Sequence, residues 1–426
     1  MTDRLPGFST LSIHAGAQPD PTTGARSTPI YQTTSFVFND ADHAASLFGL
    51  QAFGNIYTRL GNPTNAVLEE RVAALEGGTA ALTVASGHAA QVVTFHALLQ
   101  PGDEFIAARR LYGGSINQFN HSFKAFGWNV VWADTDDVAS FERALSPKTK
   151  AIFIESIANP GGTITDIEAI AAIARKAGVP LIVDNTLASP YLVKPIDHGA
   201  DIVLHSLTKF LGGHGNSIGG IIVDAGTFDW SKSGKYPVLS EPRPEYHGIK
   251  LHETFGNFAF AIAARVIGLR DLGPALSPFN AFMILTGIET LALRVQRHSD
   301  NAKAVAEWLS ANPAVAWVSY AGLPGDRYHN LARKYAPKGA GAVFTFGLKG
   351  GYDAGVSLVS NVKLFSHLAN VGDTRSLIIH PASTTHSQLS DEQKALAGAG
   401  VDVVRLSVGL EDKEDIIADL DQALKA

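Results

Sequence analysis

The chain has 426 residues, which exceeds the roughly 250–300 at which a single hydrophobic core stops growing, so its length predicts two domains. A hydrophobic content of 46% excludes a disordered chain. The net charge of −6, with 34 basic and 40 acidic residues mixed along the sequence, excludes a basic nucleic-acid patch and a polybasic membrane anchor. We therefore expect small-molecule substrates.

Two absences narrow the class of protein further. The N-terminal stretch lacks the apolar core of a signal peptide, and no apolar run approaches membrane-spanning length, so we expect a cytoplasmic protein. The chain has no cysteine, which excludes disulfides, thiolate metal sites and a cysteine nucleophile. We expect no metal centre, and any sulfur chemistry would use sulfur from a substrate.

Residues 1–62 are predicted to form an arm that lies across another surface. Three prolines between positions 19 and 29 and scattered glycines leave no sustained periodicity there. The arm ends with Tyr57 and Arg59, followed by a turn and a helix N-cap. A phenol and a guanidinium so placed can clamp a phosphate, or they can be a packed aromatic beside a solvated charge. The two residues alone leave both interpretations open.

The next segment carries a strand, a Ser-Gly turn and a helix. A helix over Asn65 to Glu76 is followed by a strand over Thr79 to Ala85, and Ser86, Gly87 and His88 open another helix. The free N–H groups of a helix start attract phosphate, and glycine permits close approach. An ordinary turn between strand and helix would look the same.

Alternating strands and helices continue to position 205. They predict a mostly parallel sheet covered on both faces, in which ligands bind beyond the carboxyl ends of the strands. The predicted strands are 105–107, 130–132, 151–155, 180–184 and 202–205, and the helices follow Tyr112-Gly113-Gly114 and cover 138–145 and 167–177.

Polar residues after these strands are the candidate site. Asp184 at the end of a strand is either a loop-capping carboxylate or a partner that keeps a pyridine nitrogen protonated. Tyr112 offers an aromatic face and a phenol for proton transfer, or plain core packing. Asn159 follows a further strand.

The stretch from Asp201 to Gly220 carries the most specific candidate. Lys209 lies just after the end of a strand, and the hydroxyls of Ser206 and Thr208 precede it. The glycines that follow it, up to Gly220, are expected to lie outside any regular element. Such a lysine suits a Schiff base with a phosphate-bearing aldehyde cofactor, because desolvation supplies free amine near neutral pH. A surface lysine after a strand is the simpler interpretation.

An acyl-transfer site is a rival interpretation. Ser206 and Lys209 match S-x-x-K, and Ser299 begins a match to S-D-N. The context opposes it, because Ser206 follows a strand where the nucleophile should open a helix, and Ser299 lies inside a helical pattern.

Taken together, the motifs resemble the Cys/Met-metabolism family of pyridoxal-phosphate enzymes over nearly the whole chain. They are Tyr57-x-Arg59-x-Gly61-Asn62-Pro63-Thr64, Ser86-Gly87, Tyr112-Gly113-Gly114, Glu155-x-x-x-Asn159-Pro160, Asp184-Asn185-Thr186 and Ser206-x-Thr208-Lys209-Phe210-x-Gly212-Gly213-His214. The resemblance implies an α/β, aspartate-aminotransferase-like (fold type I) structure with a central, mostly parallel sheet. It also implies an arm (1–62) against a partner subunit, a cofactor domain (63–278), a smaller α/β substrate domain (279–426), and a dimer that usually pairs into a tetramer.

The resemblance also implies roles for individual residues. Lys209 would bind pyridoxal phosphate as a Schiff base, Asp184 would pair with the ring nitrogen, Tyr112 would stack on the ring, and Asn159 would lie near the ring hydroxyl. The phosphate would be held by Ser86, Gly87, His88, Ser206 and Thr208, joined by Tyr57 and Arg59 of a second subunit. Arg405, Asn370 and Tyr57 would bind the substrate, with Arg405 on its carboxylate.

Two further stretches are similar to O-acetylhomoserine sulfhydrylases within that family. They are an expanded segment over 230–275 and the run from Gly372 to His386. This similarity implies replacement of the acetate of O-acetyl-L-homoserine by sulfide, with L-homocysteine as product. O-succinylhomoserine sulfhydrylase, cystathionine γ-synthase and methionine γ-lyase activities stay open, as does a scaffold without catalysis.

Overall fold

Two β-sheets organise the computed structural model, which describes residues 5–385, 387–388, 390, 392, 394 and 398–426. The larger sheet has seven strands, in the order β1-β9-β8-β7-β4-β2-β3. Its strands are β1 (Ala80–Val84), β2 (Glu104–Ala108), β3 (Asn129–Ala133), β4 (Thr149–Glu155), β7 (Leu181–Asp184), β8 (Ile202–Ser206) and β9 (Gly220–Asp224). A two-stranded ribbon of β5 (Ile157–Ala158) and β6 (Thr163–Ile164) follows β4.

The larger sheet is parallel except at β9. Pairs β2–β3, β2–β4, β4–β7 and β7–β8 are parallel, whereas β9 runs antiparallel to both β1 and β8. Strands β4, β7 and β8 are almost entirely buried, which explains why they read as continuous apolar runs without alternation. The carboxyl ends of these strands, and the start of β9, therefore meet at one edge of the sheet. The predicted fold class, including the mostly parallel sheet, is confirmed.

The smaller sheet lies in the C-terminal part of the chain. Its strands are β10 (Val315–Ser319), β11 (Val343–Leu348), β12 (Ser366–His367), β13 (Leu377–Ile379) and β14 (Val403–Ser407), in the order β10-β11-β14-β13-β12. Strand β14 lies between β11 and β13 and is antiparallel to both, so Arg405 occupies an interior strand. The domain boundaries at 62 and 278 stay predictions, although the strands of the two sheets fall on either side of position 278.

Helices flank both sheets, and local signals bound several of them. The Pro63–Glu76 helix begins after Asn62, whose side chain accepts a hydrogen bond from the Thr64 amide, and ends at Gly77 in the left-handed region. The α-helices are Phe8–His14, Ala41–Phe48, Pro63–Glu76, Gly87–Leu98, Gly113–Asn117, Val138–Arg143, Ile167–Ala177, Ser189–Leu192, Pro237–Ser240, Leu251–Phe255, Ala259–Ala263, Arg270–Leu272, Pro278–Glu289, Leu291–Ala311, His329–Tyr335, Gly351–Asn361 and Lys413–Leu424.

The structure corrects one expectation from the sequence and extends others. Gly220 was expected outside any regular element, yet it begins β9. A Cβ atom at Gly220 would lie 2.0 Å from the carbonyl oxygen of Ser86, so glycine is required by the close approach of two chain segments and not by irregular backbone. The predicted arm contains two helices, and the motif residue His386 lies outside the described residues. Within the described ranges, no helix is long and apolar enough to cross a membrane.

Candidate active site

A cavity of about 270 Å³ opens at the edge where the strands of the larger sheet end, against the smaller sheet. Parallel strands bring their carboxyl ends to this edge, so residues far apart in sequence become neighbours. Eleven of the residues predicted from sequence line the cavity: Ser86, Gly87, His88, Tyr112, Asn159, Asp184, Ser206, Thr208, Lys209, Asn370 and Arg405.

The start of the Gly87–Leu98 helix forms one wall. The Ser86 side chain caps the helix by accepting a hydrogen bond from the Ala89 amide at 3.1 Å. A Cβ atom at Gly87 would lie 3.0 Å from Cβ of Ser206, so the helix start packs directly on the end of β8. Ser86 satisfies the Ala89 and Ala90 amides, whereas Gly87 and His88, at the first two helical positions, line the cavity together with Ser206 and Thr208. Together these groups form a donor-rich cradle suited to a phosphate.

Lys209 extends into the cavity from the turn that follows β8. Its amine donates to Oδ1 of Asn370 at 2.5 Å, which joins the turn to the C-terminal part of the chain. Burial, and then the positive charge of Arg405, lower the pKa of Lys209 below its ordinary value. The amine is therefore easier to deprotonate than a surface lysine, as nucleophilic attack on an aldehyde requires.

Two carboxylates lie side by side at the ends of β4 and β7. Asp184 accepts a hydrogen bond from the Thr186 amide at 3.0 Å, and burial raises its pKa. Glu155 accepts from the amides of Tyr112 at 2.7 Å and Asn159 at 3.0 Å. Burial, followed by the charge of Asp184, raises the pKa of Glu155 to about 8. The negative charges of Glu155 and Asp184 repel each other when both carboxyl groups are ionised. A cationic ring nitrogen bound beside Asp184 would relieve this repulsion.

Arg405 approaches the cavity from β14. Its guanidinium donates to Oδ1 of Asn159 at 3.1 Å and to the carbonyl oxygen of Asn370 at 3.2 Å. Burial lowers its pKa to about 10, so it stays charged at neutral pH. Both described partners are neutral oxygens, which leaves the charge available to a carboxylate ligand.

Tyr112 lines the cavity and is also exposed to solvent. Its side chain is 48% exposed, and its ring centroid lies 5.9 Å from that of His88. Gly114 permits this position, because a Cβ atom there would lie 2.4 Å from the Tyr112 ring. The ring therefore presents a free face to a planar ligand.

Tyr57 and Arg59 are the two predicted site residues that do not line this cavity in their own chain. The Arg59 guanidinium lies 5.4 Å from the centroid of the Tyr57 ring and donates to the carbonyl oxygen of Arg270. The Tyr57 side chain is 41% exposed. Both residues therefore face a surface of the chain.

Several lining residues were not predicted from the sequence. Glu155 was noted in the sequence at a strand end and in a motif but was given no role, because the sequence carries no local signal of its two amide partners. Thr186 accepts a hydrogen bond from the Ser206 amide at 2.8 Å and so ties β7 to β8. The remaining unpredicted residues are Gln91, Ser115, Ile157, Leu187, Ile218, Ala369 and Val371, most of them in helices or loops without turn or motif signals.

The geometry opposes the acyl-transfer rival. Ser206 is the last residue of β8 and does not open a helix, and Ser299 is buried within the Leu291–Ala311 helix. The two serines therefore do not lie in the structural positions that the acyl-transfer signature requires.

Comparison with known proteins decides the family. The model of the Cys/Met metabolism PLP-dependent enzymes matches residues 9–425. The chain belongs to this family. The predicted family is therefore confirmed, as is pyridoxal phosphate as its cofactor.

Similar proteins cover almost the full chain. It is 52% identical to an O-acetyl-L-homoserine sulfhydrylase of Leptospira meyeri, over 98% of this chain and 96% of the relative. It is 54% identical to an O-acetyl-L-homoserine sulfhydrylase of Thermus thermophilus, over 98% and 99%. A solved chain from Campylobacter jejuni, described as an O-acetylhomoserine (thiol)-lyase with N′-pyridoxyl-lysine-5′-monophosphate, superposes with a TM-score of 0.95 at 42% identity, covering 98% of this chain and all of that one.

The chemical groups that line the cavity are those that pyridoxal phosphate requires. A half-buried amine with a lowered pKa, a half-buried carboxylate and a glycine-lined helix start line one cavity. These groups match the aldehyde, the ring nitrogen and the phosphate of the cofactor respectively.

Proposed function

We propose that the chain is an O-acetyl-L-homoserine sulfhydrylase, which replaces the acetate of O-acetyl-L-homoserine by sulfide and yields L-homocysteine. The observation that carries the proposal is the placement of the Lys209 amine and the Arg405 guanidinium in one cavity. An α-amino acid needs one group for its amine and one for its carboxylate, and this cavity offers both. The identity of the substrate is inferred from the two relatives above 50% identity, both of which are named O-acetyl-L-homoserine sulfhydrylases.

Most of the predicted residues have a role at the cofactor in this proposal. Lys209 would hold pyridoxal phosphate covalently, Asp184 would pair with its ring nitrogen, Tyr112 would stack on the ring, and Asn159 would lie near the ring hydroxyl. Ser86, Gly87, His88, Ser206 and Thr208 would hold the phosphate. When bound, the cofactor supplies an electron sink for charge that develops on the substrate.

The chain's own groups position the substrate and move its protons. Arg405 orients the substrate carboxylate through a forked pair of hydrogen bonds, and Asn370 supports both Arg405 and Lys209. Once the amino group of the substrate takes its place on the cofactor, the released Lys209 amine would remove the proton from Cα, because its lowered pKa leaves it free to accept one. Tyr112, which lines the cavity, would donate a proton to the departing acetate.

An assay for homocysteine tests the reaction. We expect purified protein to release homocysteine from O-acetyl-L-homoserine only when sulfide is present, and Lys209→Ala to abolish this. Lys148→Ala, at an exposed lysine, serves as the control and should leave turnover unchanged. Ammonia and a keto acid formed without homocysteine would move the activity to γ-elimination, as in a methionine γ-lyase. Faster turnover of O-succinylhomoserine would favour an O-succinylhomoserine sulfhydrylase, and faster turnover with cysteine as the thiol would favour a cystathionine γ-synthase.

We also propose that two copies of the chain complete each site. Tyr57 and Arg59 face a surface of their own chain, and the apolar side chain of Ile218 at the cavity is 60% exposed. A second copy would bring Tyr57 and Arg59 to the cofactor phosphate, with Tyr57 also reaching the substrate, and pairs of dimers would form a tetramer. Inactive Lys209→Ala and Arg59→Ala chains should therefore regain activity when they are co-expressed, since a hybrid contains one intact site. No recovery in purified hybrids would refute shared sites.

A further inference from the structure

Three polar side chains on the Leu291–Ala311 helix form a buried stripe beside the site. Arg294, His298 and Asn301 are 6%, 1% and 2% exposed, and their spacing of four and three residues places them on one helix face. A helix face inside a protein core is ordinarily apolar, because polar groups need partners there. We call these three residues the positioning stripe.

Arg294 holds the turn that carries Lys209. Its guanidinium donates to the carbonyl oxygens of Phe210 at 2.9 Å and Leu211 at 3.2 Å, the two residues that follow Lys209. A Cβ atom at Gly213 would lie 2.0 Å from Nη1, so the turn folds directly onto the guanidinium. Burial lowers the pKa of Arg294 to about 10, which keeps it cationic at neutral pH. The cation thus satisfies carbonyl groups that no regular element satisfies.

His298 and Asn301 hold the other side of the site. Burial lowers the pKa of His298 to about 4, so the ring is neutral, and its Nδ1–H donates to the carbonyl oxygen of Val408 at 2.7 Å. Asn301 donates to the carbonyl oxygen of Gly409 at 3.0 Å. Val408 and Gly409 directly follow β14, the strand that carries Arg405.

One side chain of the stripe touches both sides at once. The His298 ring meets the ring of Phe210 edge-on, with centroids 5.3 Å apart, while it bonds to Val408. Phe210 is 1% exposed and follows Lys209 directly. His298 therefore lies between the turn of Lys209 and the end of the Arg405 strand.

We propose that Arg294, His298 and Asn301 are positioning residues that fix the Lys209 turn relative to the Arg405 strand. The amine and the carboxylate of an amino acid are attached to the same carbon, so the two groups that receive them tolerate little relative displacement. The stripe keeps Arg405 in register with an amino acid bound near Lys209. This inference rests on the proposed roles of Lys209 and Arg405.

The test measures how much binding the ligand carboxylate contributes. L-norvaline and butylamine differ only by that carboxylate, and their affinities are compared by the change in visible absorbance of the pyridoxal-phosphate-loaded protein. A forked arginine–carboxylate contact predicts roughly 10- to 100-fold tighter binding of norvaline by the unmodified protein. We expect this ratio to fall at least about threefold in His298→Ala and in Asn301→Ala.

Two further variants separate positioning from stability. His298→Asn places an amide nitrogen where Nδ1 lies, so it should restore most of the ratio by donating to Val408. Leu309→Ala on the same helix removes fully buried apolar atoms eight residues beyond Asn301, outside the i+3 and i+4 reach of the stripe, so it should lower the melting temperature and leave the ratio unchanged.

The outcomes separate this inference from the proposed function. A ratio near one in the unmodified protein would overturn the role of Arg405 and the stripe with it. A high ratio that survives both His298→Ala and Asn301→Ala, or that falls equally in Leu309→Ala, would overturn the stripe alone. If His298→Ala does not fold, Asn301→Ala decides.

Discussion

The buried Glu155 gives a prediction about stability and pH. Its carboxyl group accepts hydrogen bonds from two backbone amides, and burial together with the charge of Asp184 raises its pKa from 4.5 to about 8. Glu155→Gln keeps the size of the side chain and removes its titration. The comparison of the two proteins therefore measures the proton that Glu155 adds to the pair it forms with Asp184.

The sign follows from the two pKa values of Glu155. Between pH 4.5 and about 8 the folded chain keeps a proton that the unfolded chain releases, so stability falls as the pH rises through this window. One proton corresponds to about 1.4 kcal/mol per pH unit. The free energy of unfolding of Glu155→Gln minus that of the unmodified protein should therefore be larger at pH 8 than at pH 5, by up to about 4 kcal/mol.

The assay is urea unfolding at pH 5, 6, 7 and 8. The cofactor is removed first, because a pyridinium beside Asp184 would itself change the titration. Glu253→Gln, at an exposed position, is the control and should give a flat difference across the range. A difference between Glu155→Gln and the unmodified protein that does not change with pH would show that Glu155 is already ionised in the fold at pH 5, and the reasoning would fail.

Three further changes test other parts of the site. Arg405→Lys should raise KM for O-acetyl-L-homoserine by about 10- to 100-fold with a smaller effect on kcat, since lysine lacks the forked donor, and an unchanged KM in steady-state kinetics would contradict this. Gly220→Ala should weaken pyridoxal phosphate binding in equilibrium dialysis, because the new Cβ would lie 2.0 Å from the Ser86 carbonyl oxygen, whereas Gly325→Ala, with no described atom within 4 Å, should bind normally. Tyr112→Phe should lower turnover by roughly 10²- to 10⁴-fold and change its pH profile if the phenol donates a proton to acetate, and an unaltered rate and profile would remove that role.

The sequence predicted the parts of the fold that have local signals. The apolar spacing over Ile167–Ala177, ended by a glycine in the left-handed region, gave this helix with the bounds that the structure has. Asp184 and Lys209 could be placed at strand ends because short apolar runs stop just before them. The resemblance to a known family then supplied the roles that spacing could not.

The remaining features depend on contacts between distant segments. Nothing near Gly220 in the sequence indicates that its neighbour is the carbonyl oxygen of Ser86, and β9 was missed for that reason. The Phe8–His14 helix is seven residues long, and Phe8 packs against Tyr191 with ring centroids 5.4 Å apart. Arg294 gave no signal of its role in the sequence, since two of its carbonyl partners, Phe210 and Leu211, lie more than 80 residues earlier. Tertiary contacts, which a single sequence does not display, decide such positions.

The interior place of β14 gives the chain an order of assembly during its synthesis. The last strand of the larger sheet ends at Asp224, whereas Arg405 leaves the ribosome about 180 residues later. At 5–20 residues per second this interval lasts roughly 10–40 s. Throughout it, Lys209 and the helix start at Gly87 are already made, while the strand that carries Arg405 has yet to enter the smaller sheet between β11 and β13. Each chain therefore makes the Lys209 end of the site well before the Arg405 strand that faces it.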